Sequence, residues 1–217
     1  MSAFLGHIHF WLYKKIRLII DREHLIAEKS RDVLDDLADE LHESALAVYG
    51  APLPSEISLD ALIDHSDIHG WLARQIEIAA VREASFIKDL IDCGGPDAEE
   101  AILSAFHEQG ATCGNAARDE LPEADAESIY SVMQNYYLNG MPCDGGDRVE
   151  QATSIVYRWS GDHVNQSAHW KKAGVSPKFM KKAYQAWFTG FVGNLSPEFA
   201  FTAAESDSGT HYAIVKK

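Results

Sequence analysis

The chain has 217 residues, 46% of them hydrophobic and 24% charged, the balance of a globular protein long enough to bury a sizeable core. Its 19 basic and 33 acidic residues leave a net charge of −14, which argues against nucleic acid or an anionic membrane surface as the partner. Three cysteines, Cys93, Cys113 and Cys143, form an odd set with no CxxC spacing. They argue against a secreted disulfide framework and fit reduced thiols in a cytoplasmic protein.

Near the N-terminus, Ile8, Leu12, Ile16 and Ile19 fall on one face of a helix over 8–20, with Trp11 beside them. Lys14, Lys15 and Arg17 interrupt the apolar run, so it reads as neither a signal peptide nor a membrane span. After Asp21-Arg22-Glu23 the pattern resumes to about residue 49, where Gly50, Pro52 and Pro54 end it. The span 8–49 reads equally as one helix or two. A second long helix is expected over 67–92, through Ile68, Ile76, Ala79, Phe86 and Leu90. Gly94-Gly95-Pro96 is the clearest break, and divides a helical hairpin (1–94) from a second unit (97–217). The apolar faces of that hairpin need a partner, either the rest of the chain or a second copy in a homodimer.

Asp97 caps the next expected helix, whose first turn carries Glu99 and Glu100. Gly110, Gly114, Ala116 and Ala117 make its second half small-sided. Each glycine costs a helix about 1 kcal/mol relative to alanine, so a packing or site reason is required. A helix over 126–138 follows, then a Gly- and Pro-punctuated loop (140–147), then one strand over 151–159. A short helix near 167–172 leads to a terminal helix with an aromatic stripe (Phe179, Trp187, Phe191). Two strand-like runs flank Ser206-Asp207-Ser208-Gly209. The expected class is α+β: a long N-terminal helical hairpin, then a small antiparallel sheet packed with helices.

From about residue 97 onward this order resembles the L-2-amino-thiazoline-4-carboxylate hydrolase-like family. The resemblance lies in the small-sided helix from His107-Glu108-Gln109-Gly110 to Ala117-Arg118, and in Gly190-Phe191 followed by Asn194-Leu195-Ser196-Pro197 and a hairpin. Asp207-Ser208-Gly209-Thr210-His211-Tyr212 also resembles the ends of 4-vinyl-reductase-type small-molecule-binding domains. The resemblance implies a small-ligand pocket on a hydrolase-like scaffold. This chain reads Ser160-Gly161-Asp162-His163 where that family has Cys-Pro, and Tyr212 where it has a last-strand cysteine. No catalytic residue is carried over.

Cys143, Asp144, His163 and His169, with His7 and His9, form the densest set of residue types that bind zinc or iron, the thiolate favouring zinc. None of their spacings is a ligand motif, and His7 and His9 diverge by about 200° if both are helical. His65 and His69 have i, i+4 spacing, but Asp67 between them suits a helix cap. His107 beside Glu108 is a candidate general-base pair on the small-sided helix.

Two function classes follow. One is a hydrolase acting on the C–N bond of a small heterocycle or amide, with water activated by a histidine or by a bound metal. It expects a polar pocket between the small-sided helix and the sheet. The other is a non-catalytic sensor of a metal, haem or small ligand, dimerising through the N-terminal helices. It expects an apolar pocket walled by Trp159, Trp170 and Trp187.

Overall fold

The computed structural model describes residues 5–121, 123–141, 144, 146–161, 163–206 and 209–217. Among them the elements run α1 (His7–Leu34), α2 (Asp36–Tyr49), α3 (Leu59–Leu62), α4 (Ile68–Arg118), α5 (Ala126–Met133), β1 (Arg148–Ala152), β2 (Val156–Ser160), α6 (Val164–Ala173), α7 (Pro177–Leu195), β3 (Phe199–Ser206) and β4 (Gly209–Lys216). This is the expected α+β arrangement. No helix among the described residues is long and apolar enough to cross a membrane.

The span 8–49 is two helices. Asp35 takes φ 49°, a value aspartate tolerates better than most residues, and returns its N–H to the Arg31 carbonyl before α2 begins. The break expected at 94–96 is a kink inside α4: Gly95 turns the chain at φ 57°, and Pro96 restarts the helix where its missing N–H costs nothing. The main core crosses that kink, grouping Ile26, Phe86 and Leu90 with Phe106, Trp187 and Ile214. A second cluster joins Leu12, Ile16 and Ile19 of α1 to Leu72 and Ile76 of α4.

The small-sided stretch of α4 lies against α7 with backbone nearly touching backbone. A Cβ at Gly110 would stand 2.1 Å from the Trp187 carbonyl oxygen, and one at Gly190 would stand 2.2 Å from the His107 carbonyl oxygen. The glycines therefore have a packing reason. Helix α7, not a cavity, occupies the space between this part of α4 and the sheet, and its Phe179, Trp187 and Phe191 are core. Trp159 and Trp170 are buried and belong to the same core, and Trp170 borders only a small cavity of about 10 Å³.

The sheet is antiparallel in the order β1-β2-β4-β3. Its covered face carries Tyr157, Trp159, Tyr212 and Ile214, while Arg158 and all of β1 are exposed. Tyr130 of α5 stacks on Tyr157 at 4.2 Å, and Phe188 of α7 lies 5.2 Å from Phe201. The single strand expected over 151–159 is instead a hairpin. Thr153 bonds Val156 through both its backbone and its side chain, and closes a turn at 153–156. Helix α5 stops at Met133 instead of 138, where the Asn135 and Tyr136 N–H groups reach back only three residues and tighten the chain.

Candidate functional site

The residues singled out from the sequence do not converge. His7 is exposed at the start of α1. His9 is buried, and its Nδ1 accepts the Gly6 N–H at 3.0 Å. Because the helix begins at His7, the two rings diverge; the neighbour of His9 is His69, 5.5 Å away between ring centroids. Burial, with His69 second, pushes the His9 pKa down. Cys143 lies outside the described residues, and the Asp144 carboxylate accepts the Met141 N–H at 2.7 Å. His107 and Glu108 are exposed on the outer side of α4, where Glu108 pairs with Lys29 at 2.7 Å. Among the described residues no three His, Cys, Asp or Glu side chains are grouped as metal ligands.

His163 has a different role from the expected one. It sits in the left-handed region at φ 50°, capping α6, with both ring nitrogens bonded to buried phenols: Nδ1 to Tyr137 Oη at 2.6 Å and Nε2 to Tyr212 Oη at 2.8 Å. Its ring stacks on Tyr184. Both ring nitrogens therefore already carry hydrogen bonds. His169 is half-buried on α6, its Nδ1 unpartnered, and burial lowers its pKa.

Tyr184 links this cluster to a second polar group in the core. Arg22 of α1 donates to both Glu83 oxygens, at 2.7 and 2.9 Å, and to Tyr184 Oη at 3.2 Å. Gln109 Oε1 accepts from Arg22 and from Trp187 Nε1, each at 3.2 Å. At the adjacent positions, Arg82 and Glu23 form the reciprocal pair at 2.9 Å, and Arg82 also bonds the Gly50 carbonyl. These networks tie α1 to α4 and α7. They are nearly sealed from solvent and organise the scaffold.

The arrangement suited to chemistry is a cleft where the first turns of α1 meet α5 and the chain leading into β1. It measures about 290 Å³ and is lined by Trp11, Lys15, Tyr130, Gln134, Asn139 and Asp147, among others. Lys15 is only 3% exposed. Its Nζ lies 3.3 Å from the centre of the Trp11 ring and donates to the Gln134 carbonyl at 3.2 Å, with no carboxylate of the described residues paired to it. Burial pulls its pKa down to about 7, because the ring and one carbonyl replace less hydration than an ammonium loses. Burial likewise pushes the Asp147 carboxyl up to about 6, against the opposing hydrogen bond from Tyr130 Oη at 3.1 Å.

Two buried amide atoms of residues that line the cleft lack partners: Gln134 Nε2, a donor, and Asn139 Oδ1, an acceptor. The Asn139 orientation follows from its Nδ2, which faces Asp147 Oδ1 at 3.5 Å. Buried polar atoms are nearly always satisfied, so an unpaired donor and acceptor beside two perturbed ionisable groups make this cleft the candidate site. A larger concavity of about 830 Å³ lies between α7 and β3, bounded by Glu99 of α4, by the exposed Lys178 and Lys182 and by Ala203 and Ala204. Size alone would favour that groove; the chemistry favours the cleft.

No family model, curated protein or solved structure matches this chain.

None of the cleft residues stood out in the sequence, although one carried a signal. Lys15 follows Leu12 by three positions and precedes Ile19 by four, so it falls on the apolar stripe of α1 where a lysine is out of place. Asp147 and Asn139 lie in and beside a loop with no periodicity, and gave no comparable signal.

Proposed function

We propose that the protein binds a small polar molecule in the Lys15–Asp147 cleft and acts on it by acid–base chemistry, as a hydrolase-like enzyme on a C–N bond. The observation that carries this reading is the coincidence, among the residues lining one cavity, of a lysine with a lowered pKa, an aspartate with a raised one and two amides each with an unpaired atom. A general base works best when its pKa lies near the working pH, and the Lys15 amine at about 7 meets that condition. Asp147, with a pKa of about 6, keeps a fraction of its acid form near neutrality and supplies a proton to a departing nitrogen. Gln134 and Asn139 line the cleft with amide side chains suited to a polar ligand, and the Trp11 ring provides a flat apolar wall. The reading retains the reaction class expected from the hydrolase-like resemblance. It moves the site away from His107 and Glu108 and needs no metal from His7, His9, Asp144, His163 or His169.

The test is ammonia release from a panel of small cyclic amides and amidines by the purified chain, by Lys15→Met and by Asp147→Asn. Turnover of a panel member that falls at least a hundredfold in both variants, with their thermal transitions retained, is the expected result. Turnover that neither substitution alters removes the cleft from the mechanism.

A further inference from the structure

The environment of Lys15 points to more than proton transfer. We infer that Lys15 is a covalent site for a small aldehyde or ketone, which it captures as an imine inside the cleft; this rests on the cleft being the ligand site.

Three observations carry the inference. Lys15 is almost fully buried yet lines a cavity of about 290 Å³, large enough for a small carbonyl compound but too small for a peptide. Its Nζ has the Trp11 ring on one side and a single backbone carbonyl on another, and no carboxylate of the described residues is paired to it. A surface lysine paired to a carboxylate, as Lys172 is to Glu77, has the opposite surroundings. The groups that share the cleft from the other packed elements are Tyr130 of α5 and Asp147 before β1.

The chemistry balances without an external oxidant or reductant. The lone pair of the neutral amine forms a bond to the carbonyl carbon, and the π pair moves to oxygen. That oxygen gains one proton as the nitrogen loses one, giving a carbinolamine. The hydroxyl then leaves as water with a second proton, taken from the Asp147 acid, and the nitrogen lone pair closes the C=N bond as an iminium. That iminium returns its remaining N–H proton to the Asp147 carboxylate. Net, one amine and one carbonyl give one imine and one water. Asp147, in its acid form, is the donor in the cleft for the departing hydroxyl. At pH 7 an amine with a pKa of about 7 is about half neutral, against roughly one part in a few thousand for an ordinary lysine. A less basic amine is a weaker nucleophile, so a smaller advantage in rate survives.

The test is reductive trapping. The full-length chain is treated at pH 7 with propanal and cyanoborohydride, which reduces an imine to a stable secondary amine, and lysine modification is followed by peptide mass mapping. Lys15 is expected to gain the propyl group at least tenfold faster than the exposed Lys178 or Lys217, and Lys15→Arg to show no adduct at that position while the other lysines react as before. Modification of Lys15 no faster than of those exposed lysines, or none at all, overturns the inference. Ammonia release that persists in a chain giving no Lys15 adduct removes the imine and leaves the acid–base reading standing. A rapid Lys15 adduct in a chain that cleaves none of the C–N panel does the reverse.

Discussion

Arg22 and Glu83 meet through two hydrogen bonds of 2.7 and 2.9 Å in a space where their side chains are 6% and 3% exposed. The paired geometry matters because neither charge has enough water to fall back on. Burial pushes the Glu83 pKa up, and Arg22 works against that shift by Coulomb attraction and hydrogen bonding. Whether such a pair stabilises relative to an apolar alternative is a separate question from what happens when it is broken. Arg22→Met is therefore expected to destabilise by about 3–5 kcal/mol, roughly 10 °C or more in Tm, by leaving Glu83 buried and uncompensated. Adding Glu83→Leu is expected to recover a substantial part of the loss. Urea unfolding of the two single variants and the double variant measures both effects; additive losses would show that the pair is not coupled.

The approach of α4 to α7 is set by glycine. Gly110→Ala puts a methyl group where the Trp187 carbonyl oxygen stands at 2.1 Å, and backbone cannot step aside as a flexible side chain does. The helices must separate, which opens gaps along an interface that includes Phe106, Phe188 and Phe191. The expected loss is at least about 1–3 kcal/mol, the usual range for overpacking, despite the gain in helix propensity from alanine. Ala111→Ser, on the same helix and half-buried, serves as the control for helix propensity. An unchanged unfolding midpoint for Gly110→Ala would contradict the close approach.

The two cleft groups make opposite predictions along the pH axis. Lys15 has a folded pKa of about 7 against an ordinary 10.5, so between those values the folded state binds fewer protons than the unfolded state. Stability at this site is full above about pH 10.5, falls as pH is lowered through the window, and levels off below about 7. Lys15→Met removes that dependence. Its stability relative to the parent is expected to rise as pH falls from 10 to 7, by at most ~1.4 kcal/mol per pH unit. Asp147 has a folded pKa of about 6 against an ordinary 3.8, so the parent loses stability at this site as pH rises from 4 to 6. The relative gain of Asp147→Asn should appear across that lower window and be constant above it. Urea midpoints at pH 4, 6, 7 and 10 test both signs; curves that stay parallel to the parent would show that neither group is perturbed.

Much of the fold was legible because burial follows local periodicity. Of the stripe Ile8, Leu12, Ile16, Ile19 all but the exposed Ile8 are buried where their spacing indicated, as is the aromatic stripe of α7, and Gly50 and Gly95 mark real changes of direction. The errors fell where a short-range hydrogen bond overrode pattern. Thr153 splits one apparent strand in two, and three-residue return bonds end α5 early. The polar signals were misread for a related reason. Arg22 and Glu23 looked like an interruption of the first helix, yet both stand at core-facing positions and are satisfied by Glu83 and Arg82 on α4.

The sequence by itself determined which faces of the helices are apolar, where the chain must turn, and that a helical hairpin precedes a small antiparallel sheet. These follow from the periods of helix and strand, which each segment expresses on its own. Only the tertiary structure decided which residues meet. It fills the space beside the small-sided helix with α7, gives both nitrogens of His163 to tyrosines, and leaves His107 and Glu108 in solvent. It also brings Lys15 from the first helix and Asp147 from the chain before β1 to one cleft. The physical reason is that a pKa, a cavity and a hydrogen-bond deficit belong to an environment built by several segments, and no single segment encodes them.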